Sequence, residues 1–269
     1  MSEHADWTDD PLPEAPDDLL AASPQAAYLW GRVAADGAVD GDAVRVRVGG
    51  APAAERVAAL FGARDVDRER EVTERAYAHD TDVTRTSDEY VVAAETPAAR
   101  RGAAAFGLPT GGEASGRGAS DGGASGGYRF SALDDHRRQL LRGIVEGCGT
   151  VCYKSEANAV GISVVHDDEA LLATVRRHLD AAPVDAPYGD LNESSSGGYW
   201  FGVADDAGPA LGEWLYEGSA ASGLFAPLRR RKTLRSVERV RGGAGDGRRG
   251  EEEKEEGEEE GEEKEVGPS

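Results

Sequence analysis

Cysteine, lysine and long apolar runs are what this 269-residue chain has least of. Its two cysteines, Cys148 and Cys152, are too few for a disulfide framework and fit a reducing compartment. No apolar stretch approaches the roughly 18 residues of a membrane span, and the acidic N-terminus is unlike a signal peptide. These absences make a cytoplasmic protein with no membrane partner the expectation. Of the 30 basic residues only four are Lys, while Ala, Gly, Val and Asp abound. That composition is expected of a salt-adapted cytoplasm, where carboxylates keep a surface hydrated. The chain has no Walker loop, G-x-S-x-G, H-E-x-x-H or dinucleotide fingerprint, which excludes the sites those motifs build.

The acidic charge, −21 in total, is concentrated at the two ends. Residues 1–22 hold seven acids and no Lys or Arg, and residues 251–269 hold eleven Glu against Lys254 and Lys264. The body between them is only mildly acidic, so the low pI does not exclude a nucleic-acid partner. The stretch "TDDPLPEAPDD" has no periodicity, and residues 1–22 read as a disordered acidic segment. Residues 110–127, "TGGEASGRGASDGGASGG", read as a flexible linker, and 241–269 as a disordered Glu-rich tail. Two bodies remain, 23–109 and 128–240.

The two bodies look like copies. Tyr28-Leu29-Trp30-Gly31-Arg32-Val33 matches Leu140-Leu141-Arg142-Gly143-Ile144-Val145, and Gly37-Ala38-Val39 matches Gly149-Thr150-Val151 at the same offset. "DAVRVRV" (42–48) answers to "AVGISVV" (159–165) as strands, and "AAERVAALFG" (53–62) to "DEALLATVRRHL" (168–179) as helices. Residues 88–107 and 197–216 each read as strand, proline turn, helix. Hairpin strands are expected within 63–90 and 182–200, with their order relative to the second helix left open. The pattern predicts a duplicated α+β unit in one chain, a monomer with pseudo-dimeric repeats.

A helix ending in Leu-x-Gly, two apolar residues, acid, small, acid, Gly, followed by a strand, resembles the LAGLIDADG homing-endonuclease family. In "LRGIVEGCG" (141–149) everything but the second acid fits; in "LWGRVAADG" (29–37) the second acid fits and the first is Ala34. Residues 210–238 are similar to the family's closing helix, with its Trp-Leu-Tyr, its Leu-x-Arg run and a short helix after it. The resemblance implies tandem αββαββα repeats forming a pseudo-two-fold saddle. It also implies two helices packed through Gly31, Ala35 and Gly37 on one side and Gly143, Gly147 and Gly149 on the other. In the family each helix delivers a terminal acid to a metal site over a DNA duplex, where a hard cation such as Mg²⁺ supports phosphodiester hydrolysis. Here those positions hold Asp36 and Cys148. A thiol is a poor partner for Mg²⁺, and Glu146, two residues earlier, faces about 200° away on the helix. The resemblance therefore implies a vestigial site with at most Mg²⁺ at Asp36 and no double-strand cleavage, nicking by the Asp36 half being the alternative. The whole chain also resembles a haloarchaeal family named as cobalamin operon proteins, which implies a corrinoid-pathway protein or ligand as partner.

Each candidate has a plainer reading. Asp36 could be an acid left at a helix end, and Cys148 a small residue packed between helices rather than a thiol paired with Cys152 and His166. The basic run with Arg229, Arg230, Arg231, Lys232 and Arg235 could contact phosphate, or form a solvated helix that pairs with the Glu-rich tail. The tail could equally compete with DNA for that run. Residues 188–202, with Tyr199, Trp200 and Phe201, could read base edges or simply alternate between core and surface. The segment 77–90, with His79, Asp80, Asp82 and Arg85, has no identifiable ligand. Five Arg against nine acids within 63–90 argue against tight DNA contact by the first unit. A DNA saddle should gather arginines on one concave face; an accessory protein should show that face acidic or apolar.

Overall fold

The computed structural model describes residues 10–62, 66–77, 80–110, 127–194 and 197–243. Most of the expected linker, the Glu-rich tail beyond residue 243 and His79 lie outside the described residues.

Helix α1 (Pro24–Asp36) opens on Ser23, whose Oγ accepts from the Ala26 amide at 3.1 Å, with proline in the first turn. It ends where Gly37 turns extended and starts β1 (Gly37–Asp40). The second unit repeats the device: α4 (Arg137–Cys148) ends where Gly149 starts β5 (Gly149–Lys154). A Cβ at Gly37 would lie 2.7 Å from Arg45 O, and one at Gly149 2.5 Å from Val145 O, so this helix-to-strand switch needs glycine in both units.

The first sheet adds β2 (Ala43–Gly49), β3 (Val66–Tyr77) and β4 (Asp80–Glu95), and α2 (Ala51–Ala59) and α3 (Ala98–Phe106) flank it. The second adds β6 (Ala159–His166), β7 (Asn192–Glu193) and β8 (Tyr199–Gly202), with α5 (Glu169–Asp180), α6 (Gly208–Tyr216) and α7 (Ser219–Ser222). Both sheets are antiparallel with one order, β1-β2-β4-β3 and β5-β6-β8-β7, as duplication requires. The copies diverge at the outer hairpin: β3 and β4 span 12 and 16 residues, whereas β7 and β8 span two and four. The helix over residues 227–243, α8, is longer than the short closing helix expected.

Alternation fixes which face of each sheet carries the helices. In β2, Val44, Val46 and Val48 are buried while Arg45 and Arg47 are exposed; in β6, Val160, Ile162 and Val164 are buried. The helix-side faces, α1 and α4 form one continuous core. No described helix is long and apolar enough to cross a membrane.

Residues 10–22, read from the sequence as disordered, form no helix or strand but are fastened to the body. Leu19 is buried and its carbonyl accepts from Trp30 Nε1 at 2.7 Å. Arg56 donates to the carbonyls of Pro11 and Asp10 at 2.7 and 3.1 Å, and Arg230 Nη1 meets Asp10 Oδ2 at 3.2 Å. The Phe225 ring lies within 4.2 and 4.9 Å of the Arg56 and Arg230 guanidinium carbons. Two buried apolar residues, Pro13 and Leu19, and two arginines from different repeats hold a segment whose composition alone predicts no order.

Candidate functional site

The site is built where α1 and α4 touch. A Cβ on Gly31 would overlap Leu140 O, and one on Gly143 would overlap Tyr28 O and approach Arg32 N to 3.0 Å. One turn on, Gly147 abuts Ala35. Spacing of four along each helix puts these small residues on one face and lets the backbones nearly touch. The two helix ends, Asp36 and Cys148, are thereby brought together over the mouths of the two sheets.

Their environment is mostly cationic. Burial, opposed by Arg32, Arg47 and Arg229 and reinforced by Glu89, pushes the Asp36 carboxyl up to about 6. Burial likewise pushes the Cys148 thiol up to about 12, against Arg32 and Arg229; its Sγ lies 3.5 Å from Ile144 O. Arg229, from α8, donates Nη1 to Gly149 O at 3.0 Å, placing a guanidinium one residue from the thiol. Arg32 is 2% exposed and donates Nη2 to Arg47 O at 2.6 Å, while its Nε and Nη1 are buried without a hydrogen-bond partner. One hard oxygen donor, one protonated soft thiol and three guanidiniums do not fit a divalent cation, which requires several oxygens and is repelled by arginine.

In the unfolded chain Asp36 titrates near 3.8 and in the folded chain near 6. The folded state thus binds this proton more tightly. Stability tied to the group is fully present below 3.8 and is lost as pH rises through 6. Asp36→Asn is expected to stabilise the chain at pH 8 by up to ~3 kcal/mol more than at pH 4. Urea unfolding of both proteins at the two pH values checks this; a pH-independent difference would contradict it.

Glu146 is turned away from the helix ends, as its helical position requires. It is 3% exposed, accepts from Tyr28 Oη at 2.6 Å and from the Ala226 amide at 2.9 Å, and ties α1, α4 and the start of α8 together. Burial raises its carboxyl pKa, with Arg32 opposing most strongly. On the same helix Arg142, 1% exposed, donates to the carbonyls of Leu215, Leu224 and Glu217.

The basic run divides. Arg229 joins the helix ends and Arg230 holds Asp10, while Lys232 and Arg235 are exposed and Arg231 is half-buried with contacts of its own. Farther along, Asn158 donates to Val240 O at 3.3 Å and Arg241 pairs with Glu213. Cys152 lies on the open face of β5, opposite Gly161. His166 Nδ1 accepts from the Asp168 amide at 2.9 Å, an interaction that fixes the loop into α5.

Among the residues whose side chains are described, two arginines lie on the open face of the first sheet. Arg45, 3.8 Å from Asp40, lies beside Ala93 and then Asp67; Arg47 lies beside Val91 and then Glu69. Arg68 and Arg70 fall on the other rows, paired with Val92 and Tyr90. The open face of the second sheet is small and nearly neutral: Thr150, Gly161, Ser163, Gly202, the cross-strand pair Val165 and Trp200, and Lys154 bonded to Asp205 at 2.7 Å. Phe201 turns to the core, so the aromatics of 199–201 alternate between faces. Sequence reasoning did not single out Arg32 or Arg47. A lone arginine among ten consecutive buried residues, Ala26 to Ala35, was the available signal for the first.

Two matching α+β units whose leading helices meet through glycine and end together over paired antiparallel sheets define a tandem LAGLIDADG-like protein. The chain belongs to the LAGLIDADG family described as "Putative archaeal homing endonuclease", whose model matches residues 5–243. Among solved structures, full-length DUF199/WhiA from Thermatoga maritima is 14% identical, over 81% of this chain and 59% of that one, with a TM-score of 0.45. The chain thus spans less than two thirds of that protein's length. The homing endonuclease I-WcaI bound to its DNA recognition sequence is 9% identical, over 79% and 87% of the two chains, with a TM-score of 0.49. A variant of I-DmoI in complex with its target DNA in the presence of Mg is 12% identical, over 74% and 96%, with a TM-score of 0.39. No curated protein matches the chain.

Proposed function

We propose that the chain is a DNA-binding or regulatory member of its family that has given up double-strand cleavage. The observation that carries this reading is the asymmetry of the helix ends: a carboxylate, Asp36, closes α1, while a protonated thiol beside the Arg229 guanidinium closes α4. Hydrolysis of both strands would need an oxygen donor from each helix. A duplex laid on the open faces would meet Arg45 and Arg47 on the first sheet and a neutral surface on the second, with Lys232 and Arg235 of α8 as further phosphate contacts.

Selecting duplexes from a random-sequence pool in EDTA, then titrating the enriched sequence at rising KCl, tests the reading. Saturable, sequence-dependent binding that weakens with salt is the expected result; no enrichment above an unselected duplex would overturn it. The neutral open face of the second sheet, with Val165 and Trp200 each 39% exposed, favours a second reading. In that reading the face holds a small molecule or protein partner in an accessory role, the corrinoid pathway being the one implied by resemblance. The matching family's description says nothing of cobalamin.

A further inference from the structure

Three observations at the helix ends go beyond the loss of a metal. The first is register. Gly37 pairs with Val46, so the next strand residue, Arg47, stands level with Asp36. The Arg32 guanidinium is fixed at that level by its bond to Arg47 O. The second is an unmet need. Arg32 is almost wholly buried, yet Nε and Nη1 have no acceptor, and buried charged donors rarely go without one. The third is convergence. Arg47 comes from the open face of β2, Arg229 reaches in from α8 along Gly149 O, and both act on Asp36 together with Arg32. Against these three cations stand Asp36, Glu89 and the buried Glu146, on which Arg32 acts most strongly, while the thiol, its pKa pushed up to about 12, is neutral near pH 7.

We propose that the floor between the two helix ends is a metal-independent seat for a phosphate oxyanion, gripped by Arg47 and Arg229 above the buried Arg32. Guanidinium presents planar paired donors that match phosphate oxygens, and its charge does not depend on a bound ion. Where two carboxylates would attract a metal that in turn holds a phosphate, the arginines hold the phosphate directly. The source of the phosphate is either the duplex backbone, in which case the seat rests on the DNA-binding reading, or a free phosphate group.

The experiment uses the full chain in EDTA with two probes: inorganic phosphate, followed by ³¹P line broadening and calorimetry, and the selected duplex. The variants are Arg47→Gln and Arg229→Gln, with Arg100→Gln on exposed α3 as control and thermal melts to confirm folding. The expected result is phosphate binding without metal, weakened about tenfold or more by each of the first two variants and unchanged by the third. Each of those variants also lowers the slope of log affinity against log salt for the duplex by about one. Phosphate binding that depends on Arg47 and Arg229 without any duplex selection would keep the seat and sink the DNA reading. Duplex binding with unchanged affinity and salt slope in both variants would sink the seat and keep the DNA reading. Phosphate binding that requires Mg²⁺ or Mn²⁺, or none at all, would also overturn the seat.

Discussion

Gly143→Val is expected to remove at least ~4 kcal/mol of stability or to leave the chain unfolded. Its side chain would have to occupy space filled by the Tyr28 carbonyl and the Arg32 amide, which are backbone atoms of α1 and cannot rotate aside. The helices would have to separate, and with them the core that spans both repeats and the Tyr28–Glu146 bond across the joint. Gly242→Ala, where an added Cβ meets nothing within 4 Å, is the matched control. Chemical denaturation of the two variants decides the matter, and a loss below ~1 kcal/mol for Gly143→Val would contradict the close-packed joint.

The second large effect concerns Cys148, the residue that ends α4. Cys148→Asp would set a second carboxyl beside one already held near pH 6, in a place that lifts a thiol to about 12. Two neighbouring buried carboxylates resist joint ionisation. The variant should therefore lose about 2–4 kcal/mol at pH 8 and markedly less at pH 5. With oxygen donors on both helices, Mn²⁺ should recover part of that loss in the variant and add nothing to the wild type. Thermal melts with and without Mn²⁺ read both quantities. Equal stabilisation of the two proteins by Mn²⁺ would mean that the wild-type helix ends already hold the ion.

Local signals made most of the fold legible in the sequence. The repeat, the offset between Gly37 and Gly149 and the alternation in 42–48 and 159–165 all correspond to elements in the structure, because each is set by spacing within a few residues. The order of the outer strands was not readable. The 12- and 16-residue hairpin of the first unit shrinks to a two-residue strand in the second, and polar tips carry no periodicity that reveals length. The fastening of residues 10–22 was equally hidden, since it depends on Arg56 and Arg230, far away in sequence. At the helix ends, Asp36 and Cys148 stood out from the motif. Arg32 and Arg47 did not, and Arg229 was read only as part of a basic run, because their meeting depends on strand register and on the path of α8 rather than on any spacing along the chain.

The most direct measurement is strand integrity. The selected duplex, labelled on each strand and bound by the full chain, would be incubated with Mg²⁺ and with Mn²⁺ and run on a denaturing gel. Both strands should remain whole at every metal concentration, while binding matches that in EDTA. A metal-dependent cut in either strand that Asp36→Asn abolishes would contradict the account, because Asp36 would then be a working metal ligand.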